Sequence, residues 1–185
     1  MGRRLEKLRL SGAGFGFKSG LLDPNVVSRA PNYLFQCGLA TATLIVILLV
    51  QDMVLQAAII AAVASTAFTI FVVPHSVTST PRRVIGGHVV AVLTGSMFSS
   101  VLLIPGLTSA SAESRYLLDI MAALSVGLAI LVMVATNTEH PPAAGTALGL
   151  VVQDWSWSSV EFILVSAIAL SLIRLALRPK LMNLF

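Results

Sequence analysis

Glu139 and His140 stand side by side in the stretch TNTEHPPAAGTALG, residues 136 to 149, followed by Pro141, Pro142 and a run of small residues. A carboxylate beside an imidazole can hold or pass a proton, and imidazole N–H groups can donate to an anion. Two prolines suit the first turn of a helix, where their missing N–H groups are no loss. The spacing predicts a helix that starts near Pro141 and is capped by Asn137, Thr138 or His140. Its free first-turn amides and positive dipole end would point at whatever occupies the break. Such a geometry favours an anion. Behind it, Gly145 and Gly149 make a small-xxx-small step on which a neighbouring helix can pack closely.

A second stretch, VVPHSVTSTPRRVIGGHVV from Val72 to Val90, repeats the design: an apolar run, a polar segment with proline, then a helix opening on Arg82, Arg83, Gly86, Gly87 and His88. Gly87, Ala91 and Gly95 again give small residues every four positions. Gly87 and Gly145 are 58 positions apart and Pro81 and Pro141 are 60 apart, the pattern of a duplicated helix-loop-helix unit. Two crossings between them make it a parallel repeat. His88 either lines the same cavity as His140 or bonds a carbonyl across a helix contact, whereas His75 reads as a surface residue. Arg82 and Arg83 are where membrane topology alone would put them, yet basic side chains at a mouth also concentrate small anions. Topology is the heavier of the two arguments.

The elements that position these residues are membrane helices. Of 185 residues, 56% are hydrophobic and 11% charged, where a soluble domain has about 25% charged. Five apolar stretches are long enough to span: 33 to 50, 53 to 73, 84 to 104, 117 to 135 and 160 to 177. A span needs roughly 20 residues. Asp119 falls near the outer end of the fourth, within reach of Arg115 on the same helix side. The polar segment 136 to 152 is the ambiguous piece, and charge counting decides it. If it dips in and returns, eight basic residues lie inside and four outside; if it crosses, the split is eleven to one. The positive-inside rule favours the crossing. Five extended residues at about 3.3 Å and twelve helical ones at about 1.5 Å reach roughly 34 Å, just enough for the hydrocarbon layer. Trp155 and Trp157 would then sit at the outer interface. The expected fold is an all-α polytopic membrane protein of about six crossings, one of them a broken or half helix at 136–152. A basic cytoplasmic segment 1–32 precedes the membrane domain 33–177, and a short tail, 178–185, follows it.

Several classes fall away. The net charge of +4 comes from Lys and Arg beside apolar segments, a sign of orientation, so no nucleic-acid partner is expected. The N-terminus lacks the short apolar stretch and cleavage site of a secretory signal. The single cysteine, Cys37, permits no disulfide and reads as a packing residue. No His/Glu pattern of fixed metal-binding spacing is present, and no Ser or Cys has an evident base. No metal or other cofactor is expected. A metal-dependent intramembrane hydrolase and a non-transporting scaffold subunit are the alternatives to a transport protein.

EHPPAAGTALG resembles the signature of the HPP family of integral membrane proteins, through His140, Pro141 and Pro142. TPRRVIGGHVV, from Thr80 to Val90, resembles that family's second recurring stretch, a Pro-Arg followed by Gly-Gly-His, here Arg82, Gly86, Gly87 and His88. The likeness runs from about Tyr33 to Leu177. It implies a small multi-span bundle of the bacterial inner membrane or plastid envelope, with nitrite transport attributed to some members. The short N-terminus lacks the length of a plastid transit peptide, which points to the inner (plasma) membrane with the N-terminus cytoplasmic. The expectation is a channel or transporter for a small inorganic monovalent anion such as nitrite, embedded in the lipid bilayer and assembled as a homo-oligomer. The candidate binding or pore residues are Asn137, Thr138, Glu139, His140, Pro141, Pro142, Arg82, Arg83, Gly86, Gly87 and His88.

Overall fold

The computed structural model describes residues 30–51, 57–107, 109 and 115–184. All regular structure in them is helical: α1 (Ala30–Gln51), α2 (Ala57–Val72), a 3-10 turn (Val77–Ser79), α3 (Pro81–Leu102), α4 (Arg115–Thr136), α5 (Pro141–Val152), α6 (Trp157–Leu177) and a closing 3-10 turn (Arg178–Lys180). Pro81–Leu102, Tyr116–Thr136 and Trp157–Lys180 are long and apolar enough to cross a membrane, and Ala57–Val72 and Pro141–Val152 are shorter apolar helices. Of the about six crossings expected from the sequence, one of them a broken or half helix at 136–152, three appear by length and composition among the described residues, with two shorter apolar helices beside them.

The short helix α5 is the centre of the bundle, packed by α2, α3 and α4. Glycines set its contacts. A Cβ on Gly87 of α3 would lie 2.7 Å from His140 Cβ, and one on Gly95 would lie 2.9 Å from Leu150 Cβ. The two helices therefore run parallel. Gly145 faces Ala62 and Gly149 faces Ile59, so α2 runs antiparallel to α5. The small-xxx-small steps serve as packing surfaces, as the sequence predicts. Two apolar clusters fill the rest, one around Ile59, Phe71, Leu150, Phe162 and Leu170, the other around Ala91, Ala129, Met133, Ala143 and Ala147.

Pro74 stops α2, and the carbonyls around that end accept from side chains and from residues far along the chain. Ser79 Oγ donates to Thr69 O (3.0 Å) and Val73 O (2.7 Å), Gln36 Nε2 to Phe71 O, Leu184 N to Val72 O (3.0 Å) and Arg174 Nε to Pro74 O (2.9 Å). Gln36 also exchanges bonds with the Met182 backbone, and His75, exposed as expected, holds Asn183 Oδ1 through its N–H and Leu181 O through Nε2. The start of α1, the α2–α3 connection and the C-terminal residues consequently share one end of the bundle. Among the described residues that end carries Arg82, Arg83, Arg174, Arg178 and Lys180 against Glu139 alone. The opposite end carries Arg115 against Asp119, Asp154 and Glu161. There Trp155 donates to Ser96 Oγ at 2.8 Å and stacks edge-on against Trp157. Because α5 leads to the tryptophan end, α6 returns Arg174, Arg178 and Lys180 to the side of Arg82 and Arg83. One expectation fails: Cys37 is exposed on α1 and is not packed away.

Candidate functional site

The break between α4 and α5 is built by four residues. α4 closes on Asn137, the one described non-glycine residue with a left-handed backbone (φ 55°), and the Thr138 N–H turns back to Met133 O at 2.9 Å. Asparagine is among the few residues that accept this conformation cheaply. Thr138, Glu139 and His140 follow without helical structure, and α5 begins at Pro141. His140 lies beside Gly87, six residues into α3, so the break sits about 9 Å below the start of that helix.

The helix start itself differs from the sequence expectation. His140 occupies the N-cap position but its side chain makes no capping bond, and neither Asn137 nor Thr138 takes that role; the Thr138 hydroxyl pairs with Thr136 Oγ1. Nor is the expected array of first-turn amides present. Pro141 and Pro142 have no N–H, and Ala143 gives its own to His140 O at 2.9 Å. The prolines that start the helix also remove the donors an anion would use.

What the break holds is a buried imidazole pair. His88 and His140 are both 0% exposed, with ring centroids 5.3 Å apart. Thr66 Oγ1 of α2 lies between them, 2.9 Å from His88 Nε2 and 3.0 Å from His140 Nε2. On their far sides, His88 Nδ1 meets Thr146 Oγ1 at 3.0 Å and His140 Nδ1 meets Thr78 O at 3.0 Å. For neutral rings only one arrangement of the hydrogens gives every ring nitrogen a partner. A carbonyl only accepts, so His140 carries its proton on Nδ1 and presents a bare Nε2. The single Thr66 hydrogen has two acceptors in reach, that Nε2 and Ala62 O at 3.0 Å; given to Nε2 it leaves no ring nitrogen open, with Thr66 Oγ1 accepting from His88 Nε2–H and the Thr146 hydroxyl donating to His88 Nδ1. Four donors meet four acceptors in one direction, from α5 through α3 and α2 to the break and the α2–α3 turn. A buried network closed in this way is stable in a dry interior, where any open group would be costly.

The remaining candidates divide. Arg83 and Glu139 form a half-buried ion pair, so Glu139 is engaged by Arg83 and does not pair with its neighbour His140, contrary to the sequence reading. Arg83 is correspondingly neutralised. Arg82 stays at the mouth, bonding Thr136 O at 3.2 Å. Gly86 admits Thr138, whose Cγ2 would lie 2.6 Å from an added Cβ, and Gly87 admits the Thr138 carbonyl and His140. Among the described residues no three His, Cys, Asp or Glu side chains converge to hold a metal. Two residues that the sequence reading missed complete the site, Thr66 and Thr146. Thr146 is the one hydroxyl of α5 and Thr66 one of three in α2, and only the place opposite a histidine gives either its meaning.

Besides a cavity of about 370 Å³ along its α2 side, by Ala58, Ala62, Ser65, Pro142 and Gly145, two cavities lie at the ends of α5. One of about 270 Å³ opens at the break, lined by Ile130, Met133, Val134, Glu139, His140, Pro141 and Ala144. The other, about 440 Å³, lies at the tryptophan end among Ser99, Ser100, Gln153, Asp154 and Trp155. Between them α5 is sealed against α3 by Ala143, Ala147 and Leu150 at the glycine contacts.

The family model described as HPP, transmembrane region, matches residues 27–182. A transmembrane protein of Dictyostelium discoideum is 35% identical over 118 residues, 63% of this chain and 38% of the relative. A second transmembrane protein of that organism is 33% identical over 117 residues, 62% of this chain and 35% of the relative. The chain thus spans well under half the length of these curated relatives. No solved structure matches it. With the His-Pro-Pro break and the Gly-Gly-His helix packed against each other inside a bundle of apolar helices, the chain belongs to the HPP family, as its transmembrane region.

Proposed function

We propose that the protein is a multi-pass membrane transport protein for a small monovalent anion, nitrite or a species like it, and not an enzyme. The observation that carries this reading is the closed His88–Thr66–His140 network at a helix break, between an open groove on one side and a sealed helix contact on the other. Ionisable groups placed inside a membrane bundle mark substrate or proton paths by default, and a break flanked by cavities at both ends of one helix suits alternating access. The unbalanced positive charge of the end that holds the break would draw anions to it. In this reading the basic end faces the cytoplasm of a cell whose plasma membrane holds the protein, α5 makes the fifth of six crossings, and copies of the chain associate as a homo-oligomer.

The test is nitrite uptake by purified protein in liposomes, with other small anions as competitors. His140→Ala should lower the flux while leaving expression and assembly intact. Intact protein that moves no small anion would end the transport reading, and a stoichiometric transition metal in the same sample would favour a hydrolase.

A further inference from the structure

The groove at the break is a poor host for a bare anion. Apart from His140 and the already paired Glu139, it is walled by Ile130, Met133, Val134 and other apolar residues, and the twin prolines leave few backbone donors at the helix start. An anion crossing such a wall needs a companion charge, and the network beside it has room for one proton. His140 Nε2 is the bare acceptor of the neutral network. The Thr66 hydroxyl that serves it has a second acceptor in reach, Ala62 O at 3.0 Å. If a proton bonds to the lone pair of His140 Nε2, the Thr66 hydroxyl turns to Ala62 O and its oxygen accepts from His140 Nε2–H as well as from His88 Nε2–H. Thr78 O still accepts from His140 Nδ1, and Thr146 still donates to His88. Five donors then meet four acceptor atoms, Thr66 Oγ1 accepting twice, without displacement of any heavy atom. No bond within the protein breaks; the proton is given up by hydronium or by the conjugate acid of the anion.

We propose that His140, with the Thr66 hydroxyl as its rotor, is a single-proton binding site that lets the anion cross together with a proton. The second half of this statement rests on the transport reading, and the first does not. Capacity stops at one because His88, its ring 5.3 Å away, would face a like charge. Few other charges bear on the pair. α3 offers Arg83, bound to Glu139 of the break, and Arg82, turned to Thr136 O. The turn before α3 offers only exposed His75, held to the C-terminal residues. The described parts of α2 and α5 contain no ionisable side chain, and Asp119 of α4 lies at the opposite end.

The test is 15N NMR of the histidines in the full chain in lipid nanodiscs, with His75→Gln to assign the exposed ring. At neutral pH His140 should be the Nδ1–H tautomer and His88 the Nε2–H tautomer. On acidification His140 should become imidazolium while His88 remains neutral. Thr66→Val should weaken proton binding at His140 roughly tenfold, because the charged ring loses a stronger hydrogen bond than the neutral one; Thr66→Ser should stay within about threefold. Identical tautomers in the two rings, protonation of His88 with or before His140, or an unmoved titration in folded Thr66→Val would each overturn the site. If Thr66→Val does not fold, the wild-type tautomers and the Thr66→Ser titration still decide. In liposomes, anion uptake should carry protons inward with it. Anion flux without proton movement overturns the coupling, whereas absence of flux with the titration as expected removes the transport reading and leaves the proton site standing.

Discussion

Two helices of this bundle begin on proline after an extended, uncapped residue, and they do so at different depths. α3 starts at the mouth of the basic end, and α5 starts about 9 Å further in. At the mouth Pro81 is followed by Arg82 and Arg83, and the Arg83 and Val84 amides close on Thr80 O at 2.9 Å. In the interior, position two is a second proline, position three closes on His140 O, and the ionisable group is an imidazole. The same start signal is thus dressed with cations and an N–H at its second position where water can reach it, and with an imidazole and no N–H at that position in the interior. Depth selects the chemistry, because an unpaired buried amide or charge is expensive.

The sharpest way to break this contrast is to close the space that admits the deep start. Gly87→Leu would drive a side chain into His140 Cβ and Thr138 O; the expected cost is about 3 kcal/mol or more, seen as loss of monodisperse protein and of a thermal transition. Proline replacement measures the difference between the two starts directly. Pro142→Ala introduces a buried N–H without a partner and should cost about 1–3 kcal/mol. Pro81→Ala, at the wetter start, should stay within about 0.5 kcal/mol in the same denaturation assay. Glu139→Gln frees Arg83 from a half-buried ion pair, at a cost of about 0.5–1 kcal/mol at most, and should raise the attraction of the groove for anions, read as a lower half-saturating anion concentration. Smallest is Arg82→Gln: stability should hold, and anion uptake should fall by about twofold in low salt, a difference that fades as ionic strength rises.

The two starts also differ in how far the sequence reveals them. Prolines, glycine spacing and the clustering of Lys and Arg are local signals, and they located the break, the close contacts of Gly87, Gly95, Gly145 and Gly149, and the common end of Arg82, Arg83, Arg174, Arg178 and Lys180. The site partners are not local. Thr66 sits in AAVASTAFTIFVV, where a threonine ordinarily turns its hydroxyl to the carbonyl one turn back, and Ala62 O indeed lies 3.0 Å from it. Nothing in that stretch says that histidines 22 and 74 positions later will meet it. Arg83 and Glu139, 56 positions apart, are likewise joined only by the parallel packing of α3 on α5. The anion-binding amides expected at α5 failed for a reason visible in the letters themselves, since a doubled proline both starts a helix and strips its donors.

The end of α2 bears on how the protein is made. The carbonyls at and just past its end are taken by Gln36 from the first described helix, Arg174 from α6 and Leu184 beyond it. Helices α1 to α5 can be inserted one after another as synthesis proceeds, but this seal has to wait for residues near position 184. Closure of this end is therefore a long-range event that joins residues 146 positions apart and follows insertion of α6, and removing residues 181–184 should leave an inserted protein whose basic end stays ajar.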